Sequence, residues 1–407
     1  MEEKVRFVVG IDIGTSTVRA VLGSARPNDG VVSVVGYGEV ESAGLRRGAV
    51  KELSLPIQAL DKCLAAVEQM SGVTIDAAAV NINGANIVST KLDGMIGVAD
   101  HEINEDDIVR LEDVATVGKV PGNRALIDFL AQEYVLDGQG GIREPLGMQG
   151  ARLEVKATAI TALLPDFENV QRVCEGAHFQ AHIVEPSVMA AARAVLTNQQ
   201  KENGVAVVDM GSATTGIAVY DEGELQYVGV VPKGSNDITR DLATYLMTVP
   251  EVAEEIKTRF ATARPSESDK DVVIKRGRDE LRFERAKVDE AVEARLDEIF
   301  EALRKHLKHA GYDKRLPEGI VLVGGGAKLK GLDEYVKDRM ELAARIGKPI
   351  EVMGVSEAVM KPEYAAVVGL MFADRDKMVT FEKPSIVAGK AKAKDGGFLS
   401  KIFKSFR

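Results

Sequence analysis

Apolar residues recur along the chain with two periods. Short continuous runs occupy residues 7–14 (Phe7-Val8-Val9-Gly10-Ile11-Asp12-Ile13-Gly14), 18–22 and 31–35, and they read as strands. The first two are separated by the polar turn Gly14-Thr15-Ser16-Thr17, which predicts an antiparallel hairpin. Residues 54–70 instead carry apolar positions at helical spacing and stop at Ser71-Gly72. Residues 80–84 read as a further strand and turn. From about residue 85 to residue 162 the texture changes. Asn104 stands at a predicted helix N-cap, three residues before Asp107, with the acidic first turn Glu105-Asp106-Asp107. Residues 132–150 are rich in glycine, and residues 152–161 read as a strand. This stretch is expected to be an inserted subdomain of about 75 residues.

Beyond it, helices are predicted over residues 167–179, 185–196, 254–259 and 289–309, and a buried strand over residues 320–323 leads into Gly324-Gly325-Gly326. The most informative stretch is residues 204–219. It repeats the logic of the first hairpin: apolar strand, Asp209, an apolar residue, Gly211, the small hydroxylated turn Ser212-Ala213-Thr214-Thr215, apolar strand. A repeat at so long a period points to two related domains.

The 407 residues are 45% hydrophobic, enough for sizeable cores in two or three domains. The net charge of −10 disfavours general nucleic-acid binding, because phosphates would be repelled. Cys63 and Cys174 stand in unrelated contexts, without metal-ligand spacing, and fit a reducing cytoplasm. No signal peptide and no apolar run of spanning length is read, so contact with a membrane would be at its surface.

Two Asp-X-Gly-Ser/Thr hairpins suggest phosphate chemistry. Glycine-rich turns let main-chain N–H groups approach a phosphate, and Thr15, Ser16, Ser212, Thr214 and Thr215 add hydroxyls. Asp12 and Asp209, at strand ends, could hold the waters of a Mg²⁺ ion. The phosphate loop GxxxxGK[ST] is absent. The glycine triplet could also open a dinucleotide fold, but no acidic residue in a clear βαβ frame supports that.

The motifs resemble those of the superfamily of actin, sugar kinases and heat-shock chaperones. Asp12-Ile13-Gly14-Thr15 is similar to its first phosphate motif, residues 209–215 to the second, residues 320–327 to the adenosine motif, and residues 184–191 to the connecting helix. Within that superfamily residues 129–156, 231–239 and 361–370 resemble the cell-division family FtsA. The resemblance implies an α/β fold: two actin-like (ribonuclease-H-like) domains around an interdomain nucleotide cleft, with an FtsA-type insertion. Residues 1–84 and 163–198 would form domain 1A, 85–162 the inserted 1C, 199–232 and 311–383 domain 2A, and 233–310 domain 2B. A flexible linker would cover 384–395 and an amphipathic membrane-targeting helix 396–407.

It also implies ATP and Mg²⁺ as cofactors. Gly14, Thr15, Ser16, Gly211, Ser212, Ala213, Thr214 and Thr215 would hold phosphates, and Asp12 and Asp209 the Mg²⁺ through water. Gly324, Gly325, Gly326 and Ala327 would pass near the nucleoside. Gly234 and Asn236 are candidates in the segment after the second hairpin. Glu254 and Lys257, one turn apart, resemble the pair that meets ribose and adenine, or they form a solvated i,i+3 ion pair. Glu185 would orient a hydrolytic water, or serve as a helix N-terminal Glu before Pro186; at most a weak ATPase is implied. Lys233 departs from the family pattern, where a smaller residue is expected.

In the tail, Phe398, Leu399, Ile402, Phe403 and Phe406 share one helical stripe, with Lys401, Lys404 and Arg407 on or beside the other face. Gly396-Gly397 precedes them. This is the pattern of an interfacial helix drawn to anionic lipid. The resemblance implies a peripheral protein on the cytoplasmic face of the membrane at the division site. It would polymerise, tether FtsZ filaments through the FtsZ C-terminal tail, and meet other division proteins. The alternatives are an actin-like adaptor of a pilus or secretion system, and a small-molecule kinase of the same superfamily.

Overall fold

The computed structural model describes residues 5–26, 31–266, 270–277, 279–354 and 356–382. The tail residues Phe398, Leu399, Lys401, Ile402, Phe403, Lys404, Phe406 and Arg407, and the linker before them, lie outside the described residues. Among the described residues no helix is long and apolar enough to cross a membrane.

The chain forms two compact units, residues 5–87 with 165–377 and the inserted Val88–Leu164. The larger unit holds two sheets built on one plan. In the first, β1 (Arg6–Ile13), β2 (Thr17–Ala25) and β3 (Val32–Glu41) run antiparallel in sequence. Next to β1, on its other side, lies β4 (Ala77–Ile82), parallel to it, and then β5 (Gln180–Pro186), parallel to β4. In the second, β6 (Val205–Met210), β7 (Thr215–Asp221) and β8 (Glu224–Val231) form the meander, and β9 (Ile320–Val323) and β10 (Ala344–Ile346) extend it in parallel from β6. Both sheets therefore read 3-2-1-4-5 in the order of their own strands, and Val352–Gly354 adds one edge strand to the first. The long-period repeat in the sequence is a repeat of topology.

The elements follow from local chemistry. Helix α1 (Ser54–Ser71) buries Ala59, Leu60, Cys63, Leu64 and Val67 against β2 and β3. It ends at Gly72, whose φ of 71° suits the left-handed cap glycine adopts cheaply. Helix α2 spans Leu164–Gly176, and α3 (Ser187–Val195) packs on β4 and β5 of the first sheet and on β6 and β7 of the second. Helices α4 (Ser235–Tyr245), α5 (Pro250–Arg259) and α6 (Arg285–Ala310) share the core around Leu242, Ile256, Phe300 and Leu303 with the second sheet. Helix α7 (Ala365–Glu382) approaches β1 so closely that a Cβ on Gly10 would stand 2.2 Å from the Val367 carbonyl oxygen.

One sequence expectation is corrected here. The helix predicted to start at residue 185 starts at Ser187, because Glu185 and Pro186 continue β5, where Glu185 pairs with Asn81. A residue before proline is pushed toward extended backbone, so Glu185 belongs to the strand.

The inserted unit has a four-stranded antiparallel sheet, ordered Val88–Gly97, Arg152–Leu163, Arg124–Leu136, Gln139–Ile142, with the helix Glu105–Thr116 on one face. Ile96, Ile103, Leu111, Leu153 and Val155 make its core. The predicted cap is present in full: the Asn104 side chain accepts from the Asp107 amide, and the Asp107 carboxylate accepts from the Asn104 amide. The glycine-rich stretch is partly strand. Its turn, Asp137-Gly138, has φ of 49° and 88°, the conformation a two-residue hairpin needs.

Candidate functional site

The β1–β2 and β6–β7 turns have the same geometry. Ile13 pairs with Val18 and Met210 with Thr215, so each turn holds four residues. The Gly14 amide donates to the Thr17 carbonyl at 3.0 Å, and the Gly211 amide donates to the Thr214 carbonyl at 2.9 Å. Both turns open on one cavity of about 120 Å³, which Asp12 and Asp209 also line. Ligand pockets usually measure about 300–1,000 Å³, so the walled part suits the polyphosphate end of a nucleotide rather than the whole molecule.

The two turns are supported differently. Behind the first, Thr15 Oγ1 accepts from the Gly48 amide at 3.2 Å, and the Ser42 amide donates to the Ser16 carbonyl. The buried Asn81 accepts from the Ile13 amide at 2.6 Å and donates to Ser187 Oγ at 2.9 Å, so β4 fixes the strand end. The second turn rests on the start of α4. The Ser235 amide donates to the Gly211 carbonyl, and the Asn236 amide to the Ser212 carbonyl at 2.7 Å. A Cβ on Gly234 would lie 2.6 Å from the Gly211 carbonyl oxygen, so the contact requires glycine.

The charges are poised for a cation. Burial pushes the Asp12 carboxyl up to about 6, although the Arg19 guanidinium draws it down. Burial, and then the neighbouring Asp12, push Asp209 up to about 7, again with Arg19 opposing. Two carboxyls held up by burial, one of them also by its neighbour, are stabilised as anions by any cation placed between them. Gly324, at φ 83°, lets the backbone pass beside this pair: a Cβ there would sit 2.4 Å from Asp209 Oδ1.

Asp12, Gly14, Thr15, Ser16, Asp209, Gly211, Ser212, Ala213, Thr214, Gly324 and Gly325 line the cavity. Other expected residues stand elsewhere. The Thr215 side chain is fully buried, and its hydroxyl donates to the Lys233 carbonyl at 2.8 Å. Gly234 and Asn236 brace the second turn from behind. Gly326 and Ala327 are buried in the short 3-10 turn Gly325–Lys328, Gly326 against Met210. Glu254 and Lys257 form an ion pair at 2.6 Å and tie α5 to Thr239 of α4. Glu185 is buried and ion-paired to Arg193, which uses its carboxylate for packing of β5 against α3. The Lys233 ammonium is neutralised by Glu298 of α6, which accommodates a lysine at that position.

Sequence reasoning missed Arg19, Asn83, Ser187, Ser235 and Glu363 in the lining. Arg19 was findable, since in a hairpin with a four-residue turn it must sit across from Asp12. It donates to Glu39 at 3.1 Å, and its guanidinium lies 5.4 Å from the centre of the Tyr364 ring. The other four come from distant segments; Ser187, Ser235 and Glu363 lie in stretches that carry the family resemblance, but no local pattern aims them at the cavity.

The comparisons with known proteins agree with this geometry. The family model for the cell division protein FtsA matches residues 206–369, and the model for the SHS2 domain inserted in FtsA matches residues 84–161. The chain is 35% identical to the cell division protein FtsA of Pseudomonas aeruginosa, over 90% of this chain and 88% of that one. It is 32% identical to the protein of the same name from Neisseria meningitidis serogroup B, over 99% and 98%. Among solved structures, the PilM–PilN type IV pilus biogenesis complex aligns at a TM-score of 0.65 and 17% identity, covering 90% of this chain and 98% of that one. MreB5 of Spiroplasma citri bound to ADP aligns at 0.56 and 14%, covering 93% and 99%. At these identities the structures establish the actin-like fold, while the sequence relatives and the inserted domain establish the family: the chain belongs to the FtsA family of cell division proteins.

Proposed function

We propose that this protein binds ATP with Mg²⁺ at the paired turns and works as an actin-like tether, holding FtsZ filaments at the cytoplasmic face of the membrane during division. The observation that carries the nucleotide reading is the pair of four-residue turns of equal register, which bring Asp12 and Asp209 into one cavity. The donor set fits Mg²⁺ and a polyphosphate. Two carboxyls pushed up by burial, Asp209 also by Asp12, call for a cation. The Gly324 backbone packs directly against Asp209, where any side chain would clash with the carboxylate. MreB5, of the same fold, is described in complexes with ADP and with AMPPNP.

In this reading Asp12 and Asp209 hold the waters of Mg²⁺, which would neutralise phosphate charge. Gly14, Thr15, Ser16, Gly211, Ser212, Ala213 and Thr214 cradle phosphates with main-chain N–H groups and hydroxyls. Arg19 adds a fixed positive charge, and Gly325, with nothing within 4 Å of its Cβ position, faces the nucleoside. Glu185 is left out of water activation, because Arg193 engages it and it does not line the cavity.

The tether reading rests on family membership and on the tail, residues 396–407, with its apolar stripe and basic flank. Burying five large apolar side chains gives about 5–10 kcal/mol in gross terms, offset by the cost of ordering the peptide, so one tail binds weakly. Self-association would multiply it through avidity. FtsZ, further copies of this chain and other division proteins are the partners this reading requires. The pilus and kinase alternatives gain no support, because the pilus likeness is one of fold.

Co-sedimentation with anionic vesicles tests the tether. The intact chain with ATP should pellet and carry FtsZ with it, while a chain truncated after Asp395 should leave both in the supernatant. Equal behaviour of the two chains would refute the tail as anchor. Pelleting of the protein without FtsZ would refute the tether.

A further inference from the structure

Glu363 occupies a three-residue 3-10 turn, Pro362–Tyr364, just before α7. Three contacts pin that turn. The Gly324 amide donates to the Pro362 carbonyl at 2.9 Å. The Tyr364 hydroxyl donates to Glu39 Oε2 at 2.8 Å, and the Arg19 guanidinium covers the Tyr364 ring. The Glu363 side chain is 8% exposed, and the residue lines the cavity. Its Oε1 accepts from Lys328 Nζ at 3.1 Å. Its Oε2 is buried and has no hydrogen-bond partner among the described residues.

A buried carboxylate oxygen without a donor is costly, and native structures rarely keep one without a use. Three kinds of ligand could approach it. Glu363 does not join Asp12 and Asp209 as a third direct metal ligand, because among the described residues no group of three His, Cys, Asp or Glu could hold an ion. A phosphate carries the same sign of charge and would be repelled. An uncharged O–H or N–H donor remains. The position agrees, because Pro362 is bonded to Gly324, next to Gly325, the residue read above as facing the nucleoside.

We propose that Glu363 is a nucleoside-binding residue whose Oε2 accepts a hydrogen bond from a ribose hydroxyl or the exocyclic amino group of the bound nucleotide. Lys328 holds the other oxygen and so aims the acceptor. This rests on the ATP reading and adds selection of the nucleoside to it. Such an acceptor rejects an analogue lacking the donor, because it is then left buried and unpaired.

The test compares the wild-type chain with Glu363→Gln and Lys328→Met, all with Mg²⁺. Affinities are measured for ATP, 2′-deoxy-ATP, 3′-deoxy-ATP, inosine triphosphate and inorganic tripolyphosphate. Glu363→Gln keeps an acceptor for Lys328 and turns the other position into a donor. The wild type should bind one of the three analogues about tenfold more weakly than ATP, which also identifies the group. In Glu363→Gln, ATP should fall to the affinity of that analogue, while tripolyphosphate binds as before. Lys328→Met, which releases the other oxygen, should weaken the discrimination without abolishing it. If Glu363→Gln does not fold, Glu363→Asp, whose shorter carboxylate cannot reach, should lose the discrimination instead. Equal ATP-to-analogue ratios in wild type and variant would overturn the proposal, and so would a matching loss for tripolyphosphate. Failure of the wild type to bind any nucleoside triphosphate would refute the ATP reading itself, so the two failures are distinct.

Discussion

The β1–β2 and β6–β7 hairpins share register and turn length, yet they differ at the residue across from each aspartate. Opposite Asp12 stands Arg19, a charge; opposite Asp209 stands Gly216, a space. The space is occupied, since a Cβ on Gly216 would lie 2.9 Å from Val188 Cβ of α3. The first turn is thus coupled electrostatically, through Arg19 to Glu39 and Tyr364. The second is fixed by packing, with α3 on one side and the start of α4 on the other. A duplicated scaffold has kept the geometry that meets the ligand and changed the means of holding it.

The sharpest way to break the comparison is to disturb each support in turn. Gly234→Val drives a side chain into the Gly211 and Ser212 backbone and should weaken ATP binding by about 100-fold, or about 2.7 kcal/mol. Thr15→Val, which removes the acceptor for the Gly48 amide behind the first turn, should cost about 1 kcal/mol, or a few-fold. Isothermal titration of both variants checks the contrast, and equal losses would erase it.

Glu185 comes next, because it separates chemistry from architecture. Glu185→Ala leaves Arg193 without its buried partner and should lower stability by about 2–3 kcal/mol, less than for a fully buried pair because Arg193 is about one-third exposed. Denaturant unfolding reads this. An unchanged unfolding midpoint, together with a large loss of ATP turnover, would return Glu185 to the role the sequence suggested.

The last effect concerns pH. Both cavity aspartates have folded-state values above their ordinary value of 3.8, at about 6 and about 7. The folded chain therefore binds more protons than the unfolded one between these values. Their contribution to stability is full below about pH 4 and is lost as pH rises through about 7. Without ligand, the melting temperature should fall by several degrees between pH 5.5 and pH 8. Asp209→Asn should flatten that slope, and Mg²⁺ with ATP should reverse it. A ligand-free slope identical in Asp209→Asn would contradict the assignment.

Much of this was legible in the sequence, for local reasons. The hairpins announce themselves as apolar runs around short hydroxylated turns, and the Asn104–Asp107 cap is written within four residues. The start of α3 was misplaced although the signal was present, since Pro186 biases Glu185 toward extended backbone. Thr215 illustrates a different limit. Its type suits a phosphate loop, but side chains alternate along a strand, and as the first residue of β7 it points its hydroxyl to the Lys233 carbonyl. Glu363 lies about 350 residues from Asp12 along the chain, and no local pattern could bring the two to one cavity.

The central claim is that the two turns act together on one ligand, and a double-mutant cycle on Asp12→Asn and Asp209→Asn tests it most directly, read as ATP affinity with and without Mg²⁺. The account predicts that each single change abolishes the gain in affinity from Mg²⁺ and that the double variant is no worse than either, a coupling of about 1–3 kcal/mol. Additive losses, or a Mg²⁺ effect that survives either change, would mean that the turns work separately and would contradict it.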